Sequence, residues 1–338
     1  MPTSTRQWVL NTHPTGLPTL TGPSPTFKLS TTPLQPITSS QALIKTLIFS
    51  NDPAQRLWIS ALSPGQSLTS LALGEVLESG SPSELPVGST VFIKTVWTEY
   101  SIVEIKDARV VEPIEGLSLG HFVGVLGLPG LTAYYGLIEK VKTGKDDTVL
   151  VSGAAGAVGS VVVQLAKKVL GAKRVIGISG SDEKARWVES LGADVCINYK
   201  AESFEQDFLR ETEGGIDVFF DNVGGPLLDS VLLRINTHGL IAVCGAIDNY
   251  NKAEPYGTKN LFKVITSGIT IYGLSLPHYA HKASEVTEFL VKAWKEGKFT
   301  LDDSLQTLVD VPFEDVPAVW LRLFAGGNTG KLVTRLVE

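Results

Sequence analysis

The chain has 338 residues, a length that favours two domains over one or three at about 100 to 200 residues per domain. Hydrophobic residues make up 43% and charged residues 19%, with 33 Gly and 18 Pro, which argues for a folded globular protein and against disorder. The net charge is −6 and no basic run could neutralise a row of phosphates, so the composition argues against nucleic acid as a partner.

The first ten residues, Met1 to Leu10, carry one Arg and no apolar core of signal-peptide length, so nothing there supports secretion. From residue 6 to about 120 short apolar runs are cut by Pro, Gly and Ser, as in Ala42 to Phe49, Val91 to Val96 and Tyr100 to Ile105. That pattern predicts an antiparallel β domain of irregular strands. Between about 124 and 299 apolar runs alternate with segments of helical period, the signature of βαβ units around a parallel sheet. Strands are expected at Thr148 to Ser152, Arg174 to Ile178, Asp194 to Asn198, Val218 to Asp221, Leu240 to Cys244 and Ile269 to Leu274, a set that suits a doubly wound sheet.

The uncharged stretch Val149 to Ala166 is long enough to raise a transmembrane question, but its three Gly, two Ser and one Gln and its change of period make it strand, turn and helix, so no membrane partner is expected. That helix carries Val158, Val162, Leu165, Ala166 and Val169 on one face, and Gly171 falls where a left-handed C-cap belongs. A second helix starts at Ser181 or Asp182 and stops at Gly192, and Pro226 suits the first turn of a later one. The tail predicts a strand around Leu305 to Val311, a short helix from Phe313 to Phe324 and a last strand, Lys331 to Val337, which continue the β-rich character of the first domain. The expected domains are therefore 1–123 with 300–338, and 124–299. Two cysteines, Cys196 and Cys244, are too few for a disulfide framework or a zinc site of three or four thiolates; a reducing compartment, the cytosol, fits best.

The strongest local signal is Val149-Leu-Val-Ser-Gly153-Ala-Ala-Gly156-Ala-Val-Gly159-Ser160, a strand feeding a tight turn and a helix. Small residues there let a pyrophosphate reach backbone N–H groups and the positive end of the helix dipole. The strict G-x-G-x-x-G pattern is not met, because Ala154 stands at its first glycine; a turn of this kind can also serve only to pack a helix close to a strand. At the end of the second strand, where an NAD-specific fold places a carboxylate on the adenosine ribose, the chain reads Ser179-Gly180-Ser181, followed by Lys184. Hydroxyls, free N–H groups and a cation would receive a ribose 2′-phosphate, so NADP is favoured over NAD. The plain alternative makes Ser181 a helix cap and Lys184 a solvated side chain, with Asp182 or Glu183 on the ribose.

Residues 1 to 193 contain no cysteine and only His13 and His121, so the thiolate and imidazole ligands of a zinc alcohol dehydrogenase are missing. No zinc is expected. Without a Lewis acid, alcohol oxidation is difficult, while hydride addition to a polarised conjugated alkene remains feasible. Gly116-Leu-Ser118-Leu-Gly120 matches a hydrolase nucleophile elbow, G-x-S-x-G, but Glu112-Pro113 breaks the strand that should precede it, which leaves a loop serine.

Leu126-Gly-Leu-Pro-Gly-Leu-Thr-Ala-Tyr-Tyr135, Ala154-Ala-Gly-Ala-Val-Gly-Ser160, Gly180-Ser-Asp-Glu-Lys184, Ile197-Asn-Tyr199, Phe220-Asp-Asn-Val-Gly-Gly225 and Cys244-Gly-Ala-Ile-Asp-Asn-Tyr250 occur in this order. Together they resemble the zinc-independent medium-chain dehydrogenases/reductases of the prostaglandin reductase, leukotriene hydroxydehydrogenase and alkenal double-bond reductase type, from Trp8 to Lys331. The resemblance implies an α/β protein: a GroES-like β-rich domain and a Rossmann domain, NADPH in the cleft between them, and reduction of the α,β double bond of enones or enals.

It places the diphosphate on Gly156, Ala157, Val158 and Gly159, and the 2′-phosphate on Lys184 and Tyr199, with Ser179 beside them. Asn222, Cys244, Gly245, Leu274, Ser275, Leu276 and Asn328 fall on cofactor-binding positions, and Tyr250 on the family's active-site tyrosine. A Tyr after a strand is otherwise a packed half-buried ring, and Asn222 a turn former.

Two features depart from the family. Ala54-Gln55 stand where Tyr-Met is usual, which puts the substrate in doubt, and the helix after the diphosphate turn is about two residues longer at Lys168 to Gly171, an addition expected to affect a loop. The expected reaction is hydride transfer from NADPH to the β-carbon of an enone, with Tyr250 donating to the developing enolate oxygen. The alternatives are a quinone reductase of the same superfamily and a non-catalytic NADPH-binding protein. A homodimer is expected, because Ile269 to Leu274 would otherwise leave an apolar sheet edge unpaired.

Overall fold

Antiparallel pairing and a shared aromatic centre organise the N-terminal part of the chain in the computed structural model, which describes residues 1–337. Strand β1 (Ser4–Leu10) pairs with β2 (Phe27–Pro33). β3 (Gln41–Ser50) pairs with β4 (Thr69–Ser79), β4 with β5 (Thr90–Val96), β3 also with β6 (Tyr100–Glu104), and β5 with the short β7 (Arg109–Val110). A single-turn helix, α1 (Gln55–Trp58), follows β3. The register of β3 on β4 shifts between Thr46 and Ile48; Thr46 lies opposite Gly74, where a Cβ would stand 2.3 Å from Ile44 Cγ2 and 2.7 Å from the Lys45 carbonyl oxygen. Only glycine allows that approach. The buried ends of the strands close on Phe27, Trp97 and Trp320, stacked edge to face with centroids 5.2 Å (Phe27–Trp97) and 5.6 Å (Trp97–Trp320) apart.

The parallel part begins with α2 (Leu128–Tyr134), extended by a π turn, Tyr135–Lys140. Its strands are β8 (Thr148–Val151), β9 (Arg174–Ser179), β10 (Val195–Asn198), β11 (Ile216–Asp221), β12 (Ile235–Val243) and β13 (Thr270–Gly273). Their order in the sheet is β10-β9-β8-β11-β12-β13, and every pairing is parallel. Numbered from β8, this is the doubly wound order 3-2-1-4-5-6, and it reverses between β8 and β11. Continuous runs such as Val149-Leu150-Val151 and Val218-Phe219-Phe220 fit because helices cover both faces; all six side chains are 1% exposed or less.

Those helices are α3 (Ala157–Gln164), α4 (Asp182–Ser190), α5 (Phe204–Glu211), α6 (Gly225–Leu232), α7 (Phe262–Thr266) and α8 (Ala283–Lys295). Gly171 and Gly192 close α3 and α4 at positive φ, 73° and 124°. The extra length expected to alter a loop at 168–171 lies instead largely within the helix, which widens into a π turn at Leu165–Val169. That turn is held because Lys168 Nζ donates to Thr300 Oγ1 at 3.3 Å and Thr300 N donates to Gln164 Oε1 at 2.7 Å.

The tail supplies β14 (Gln306–Val311), α9 (Val316–Leu321) and β15 (Lys331–Leu336). β15 lies between β14 and β3, completing a seven-stranded sheet in the order β14-β15-β3-β4-β5-β7 with β6 on β3. The chain thus divides into two units, Met1–Gly124 with the segment from Gln306, and Val125–Leu305. Residues 300–305 stay with the second unit, since Gln164 holds Thr300 and Leu301 and Leu305 are 2% and 1% exposed.

Inside the first unit a buried ion pair fastens the end of β3 to β15. Lys331, 2% exposed, donates to Asp52 Oδ1 at 2.6 Å and to the Asn51 carbonyl at 3.0 Å. Asp52 also receives Ser50 Oγ on Oδ2 at 2.5 Å, and Trp320 Nε1 donates to its carbonyl at 3.2 Å. Removing one member of such a pair strands the other in a dry site. Lys331→Met is therefore expected to lower unfolding free energy by about 3 to 5 kcal/mol in denaturant melts; a loss below about 1 kcal/mol would show that Asp52 is satisfied without it.

Candidate active site

The ends of β8, β11 and β12 and the segment after β13 meet on the carboxyl side of the sheet where the order reverses, the side on which doubly wound folds take ligands. After β8 the chain turns at Gly153, φ +58°, and Gly156 begins α3 with no side-chain cap. The first turn, Ala157, Val158 and Gly159, therefore presents backbone N–H groups that no side chain caps, the arrangement that receives an anion. A Cβ on Gly159 would stand 2.3 Å from the Gly153 carbonyl oxygen and 2.7 Å from Ala154 Cα, so the turn closes only with glycine. Ala154 replaces the usual first glycine at no cost because Gly177 lies opposite, where a Cβ would be 3.1 Å from the Ala154 methyl.

At the tip of β9 the hydroxyl expected to face a ligand turns inward. Ser179 is 3% exposed; its Oγ donates to the Ser181 carbonyl at 3.4 Å and receives Cys196 Sγ at 3.4 Å, because its place on the strand directs it at β10. The assignment of Ser179 as a cofactor contact is corrected to this extent: its side chain is spent within the protein. Ser181 caps α4, accepting the Lys184 N–H at 3.2 Å. Asp182 accepts Asn198 Nδ2 at 2.7 Å, which occupies the carboxylate nearest the tip.

What remains there is positive and aromatic. Tyr199 is 52% exposed, and a Cβ on Gly180 would lie 3.1 Å from its ring and 3.3 Å from its hydroxyl. Lys200 Nζ sits 5.7 Å from that ring. Burial, and then the Lys200 charge, hold the Lys184 ammonium below the usual lysine range, against a smaller upward pull from Glu183. Lys200 was missed in the sequence; its adjacency to Tyr199 was the available signal.

Beyond β11, Asn222 is fixed on both sides of Ser152: its N–H donates to Ser152 Oγ at 2.8 Å and its Nδ2 to the Ser152 carbonyl at 2.7 Å. After β12, Cys244 and Gly245 donate to the Asp221 carbonyl at 2.8 and 3.2 Å. Tyr250, half-buried, turns back so that Ala246 N donates to its hydroxyl at 3.3 Å. A Cβ on Gly245 would stand 3.0 Å from that hydroxyl and 3.3 Å from the Asn222 carbonyl oxygen, so glycine is what lets the ring close down. Burial raises the Tyr250 phenol above its ordinary range, with Cys244 and Asp221 adding to the effect. Leu274 continues β13 by donating to the Val243 carbonyl at 3.0 Å, and Ser275 and Leu276 follow. These groups come together; Asn328 belongs to the first unit, where its Nδ2 donates to the Gly330 carbonyl at 2.8 Å in the turn before β15.

In the first unit Gln55 is fully buried, its Oε1 accepting Asp52 N and its Nε2 donating to the Thr69 carbonyl, both at 2.9 Å. The departure at 55 is thus structural, and at 54 only a methyl remains. Ser118 receives Gln306 Nε2 at 2.5 Å and has ordinary extended backbone, φ −74° and ψ 152°, so it is a loop serine and no nucleophile elbow.

A family pattern described as zinc-binding dehydrogenase matches residues 157–292, and one described as the N-terminal domain of oxidoreductase matches residues 6–111. Prostaglandin reductase 1 of Rattus norvegicus is 34% identical over 335 residues, covering 98% of each chain. The 2-alkenal reductase (NADP(+)-dependent) of Nicotiana tabacum is 35% identical over 344 residues, covering 98% of this chain and 97% of its own. Among solved structures, CurA from Vibrio vulnificus in complex with NADPH superposes with a TM-score of 0.86 at 29% identity, over 98% of this chain and 99% of that one.

The donor set does not fit the zinc in the first pattern's description. His121 is 1% exposed, His13 lies on the surface, and among the described residues no three His, Cys, Asp or Glu are grouped to hold a metal. The turn, in contrast, fits a nucleotide. Gly159→Ala is expected to weaken NADPH binding more than about tenfold, some 1.4 kcal/mol, in fluorescence titration; unchanged affinity would mean that the turn only packs helix on strand.

Proposed function

The chain belongs to the medium-chain dehydrogenase/reductase family, among the relatives that include prostaglandin reductase 1 and 2-alkenal reductase, and from that premise we propose that it reduces the α,β carbon–carbon double bond of enones and enals with NADPH. The observation that carries this reading is the closure of Tyr250 onto Gly245 and Asn222 at the same strand ends that carry the glycine turn. NADPH, when bound, supplies the hydride that reaches the β-carbon of the substrate.

The chain's own residues do the rest. Gly156 to Gly159 hold the diphosphate, through the N–H groups of Ala157, Val158 and Gly159. Lys184 and Tyr199, with Lys200, receive the 2′-phosphate, and the backbone at Gly180 and Ser181 leaves room for it. Asn222, Cys244, Gly245 and Leu274 to Leu276 line the remainder of the cofactor. Tyr250, whose phenol burial raises further above its ordinary range, donates a hydrogen bond to the substrate oxygen as charge gathers there.

The protein works in the cytosol with Cys196 and Cys244 as free thiols, and as a homodimer. In support of the dimer, β13 ends the sheet with Ile271 40% exposed, and α7 shows Phe262 and Ile265 at 70% and 75%. Among the described residues no helix is long and apolar enough to cross a membrane.

Tyr250→Phe is expected to slow enone reduction about 10- to 100-fold while NADPH affinity stays near normal, since the hydroxyl meets charge that exists only once hydride has moved. Turnover at the unmutated rate would make Tyr250 a packing residue. A panel of enals, enones and quinones, with NADPH consumption followed, separates this reading from a quinone reductase; no turnover on any of them points to a binding protein. Lys184→Ala is expected to reduce NADPH affinity about 10- to 150-fold, the equivalent of a 1.5 to 3 kcal/mol charge-assisted bond, and NADH affinity little. Equal binding of both cofactors by the unmutated protein would overturn the assignment.

A further inference from the structure

Between Tyr250 and α7 the chain runs through residues 251–261 without helix or strand, and most of the side chains there are exposed. A segment of that kind has no core of its own to order it. What orders it is α6. Asp229, on that helix, is 4% exposed, and each of its oxygens takes donors from the far end of the segment. Oδ1 accepts Lys259 N at 3.0 Å and Asn260 N at 2.8 Å, and Oδ2 accepts the Tyr256 hydroxyl at 2.8 Å and Lys259 N at 3.1 Å. The Asp229 carbonyl accepts Asn260 Nδ2 at 3.1 Å as well. Burial pushes this carboxyl up, but the donors from Asn260, Tyr256 and Lys259 outweigh it and hold the group below the usual carboxylate range.

The far end of the segment is tied in turn to the near end. Tyr256 N donates to Asn249 Oδ1 at 2.9 Å, and Asn249 Nδ2 donates to the Tyr256 carbonyl at 3.5 Å. Asn249 precedes Tyr250 and ends the tight turn Ile247–Asn249; its N–H donates at 2.9 Å to the carbonyl of Ala246, the residue whose own N–H meets the Tyr250 hydroxyl. The near end also rests on α6, because Asp248 N donates to the Val223 carbonyl at 3.1 Å and a Cβ on Gly225, φ +62°, would overlap the Asp248 carboxylate. Gly225 and Asp229 are four residues apart and share one face of α6. One helix face therefore holds both ends of the segment.

We propose that Asp229 is a positioning residue for Tyr250: by anchoring Tyr256, Lys259 and Asn260 to α6 it fixes Asn249, and with it the turn that aims the Tyr250 hydroxyl. Each link is short. The carboxylate holds the Tyr256 phenol, the Tyr256 backbone holds the Asn249 amide, and Asn249 is bonded to Tyr250 along the chain. A donor in an exposed turn adds to a reaction only as far as its direction is fixed beforehand, and a displacement of about 1 Å removes much of its effect. This role rests on the reading of Tyr250 as the hydrogen-bond donor to the substrate.

The test joins steady-state kinetics to proteolysis. Asp229→Ala is expected to lower kcat for enone reduction about tenfold while NADPH affinity in fluorescence titration stays within about twofold, since only the aim of Tyr250 is lost. Asp229→Asn, which keeps an acceptor oxygen for the two backbone N–H groups, should restore most of that loss. In the Tyr250→Phe background Asp229→Ala should change kcat less than about twofold, because residues that act through one group are not additive. Trypsin cleavage after Lys252, told from cleavage after Lys259 by fragment mass, should be about tenfold faster in Asp229→Ala, since a local opening sets its rate.

Where Tyr250→Phe has slowed turnover, an unchanged kcat in Asp229→Ala, or a loss that repeats in full on top of Tyr250→Phe, overturns the inference and leaves the proposed function standing. Where Tyr250→Phe turns over enones at the unmutated rate, the proposed function loses its donor, and the protease decides on the anchor alone: faster cleavage after Lys252 upholds it and unchanged cleavage overturns it. Should Asp229→Ala not fold, Tyr256→Phe takes its place. It removes one hydroxyl from a half-buried ring and is expected to lower kcat about threefold, again only while Tyr250 keeps its own hydroxyl; no loss, or an equal loss in both backgrounds, overturns the inference.

Discussion

The hydrogen bond from Ser152 Oγ to Asp221 Oδ1, 2.9 Å long, joins β8 to β11 at the one place where the strand order reverses. Strands that diverge there would leave a gap at their carboxyl ends, and the glycine turn and the Asn222 turn depart from that gap. Ser152 also receives the Asn222 N–H, and Asp221 receives the N–H groups of Val223 and Gly224. The carbonyl of Asp221 holds Cys244 and Gly245. One buried pair of side chains thus sets the glycine turn, the Asn222 turn and the Tyr250 turn against one another, at the cost of desolvating a carboxylate.

The first unit is held by a different device with the same logic. Lys331, Asp52 and Gln55 are all buried, and their bonds tie β3, α1, α9 and β15 together where the tail of the chain returns to its start. A buried ion pair adds little net stability over an apolar replacement of the same shape, but it tolerates few alternative arrangements. Gln55 belongs to that set through both ends of its amide.

Electrostatics separate the two ends of the nucleotide site. At the tips of β9 and β10 Lys184 and Lys200 stand beside the exposed ring of Tyr199, and the nearby Asp182 is engaged by Asn198. At the ends of β11 and β12 the titratable groups are enclosed, and burial raises the Asp221 carboxyl, the Tyr250 phenol and the Cys244 thiol above their ordinary ranges. A phosphate suits the first environment. A group that must donate a hydrogen bond without itself ionising suits the second.

Much of this could be read from residue order. The six parallel strands, the glycine turn, the caps at Ser181, Gly171 and Gly192 and the return of the tail are local patterns of period and turn chemistry, which act over a few residues and need no partner to be recognised. Asn222 and Tyr250 were singled out in another way, by the resemblance to the family that the quoted motifs carry. What sequence could not supply was direction. Ser179 reads as an available hydroxyl, but strand pleat and the neighbouring β10 point it at Cys196.

Added length at 168–171 reads as loop, but the bonds from Gln164 and Lys168 to Thr300 make a widened helical turn of it. Asp221 reads as one more acid in a turn motif, and only the tertiary structure encloses it, with Oδ2 unpartnered among the described residues. The sequence by itself determined which segments are strands and helices and where a nucleotide turn lies, because backbone preference and apolar period are encoded nearby. Which side chains face inward, and which charges go unpaired, was decided by the tertiary structure, because burial depends on residues far away in the chain.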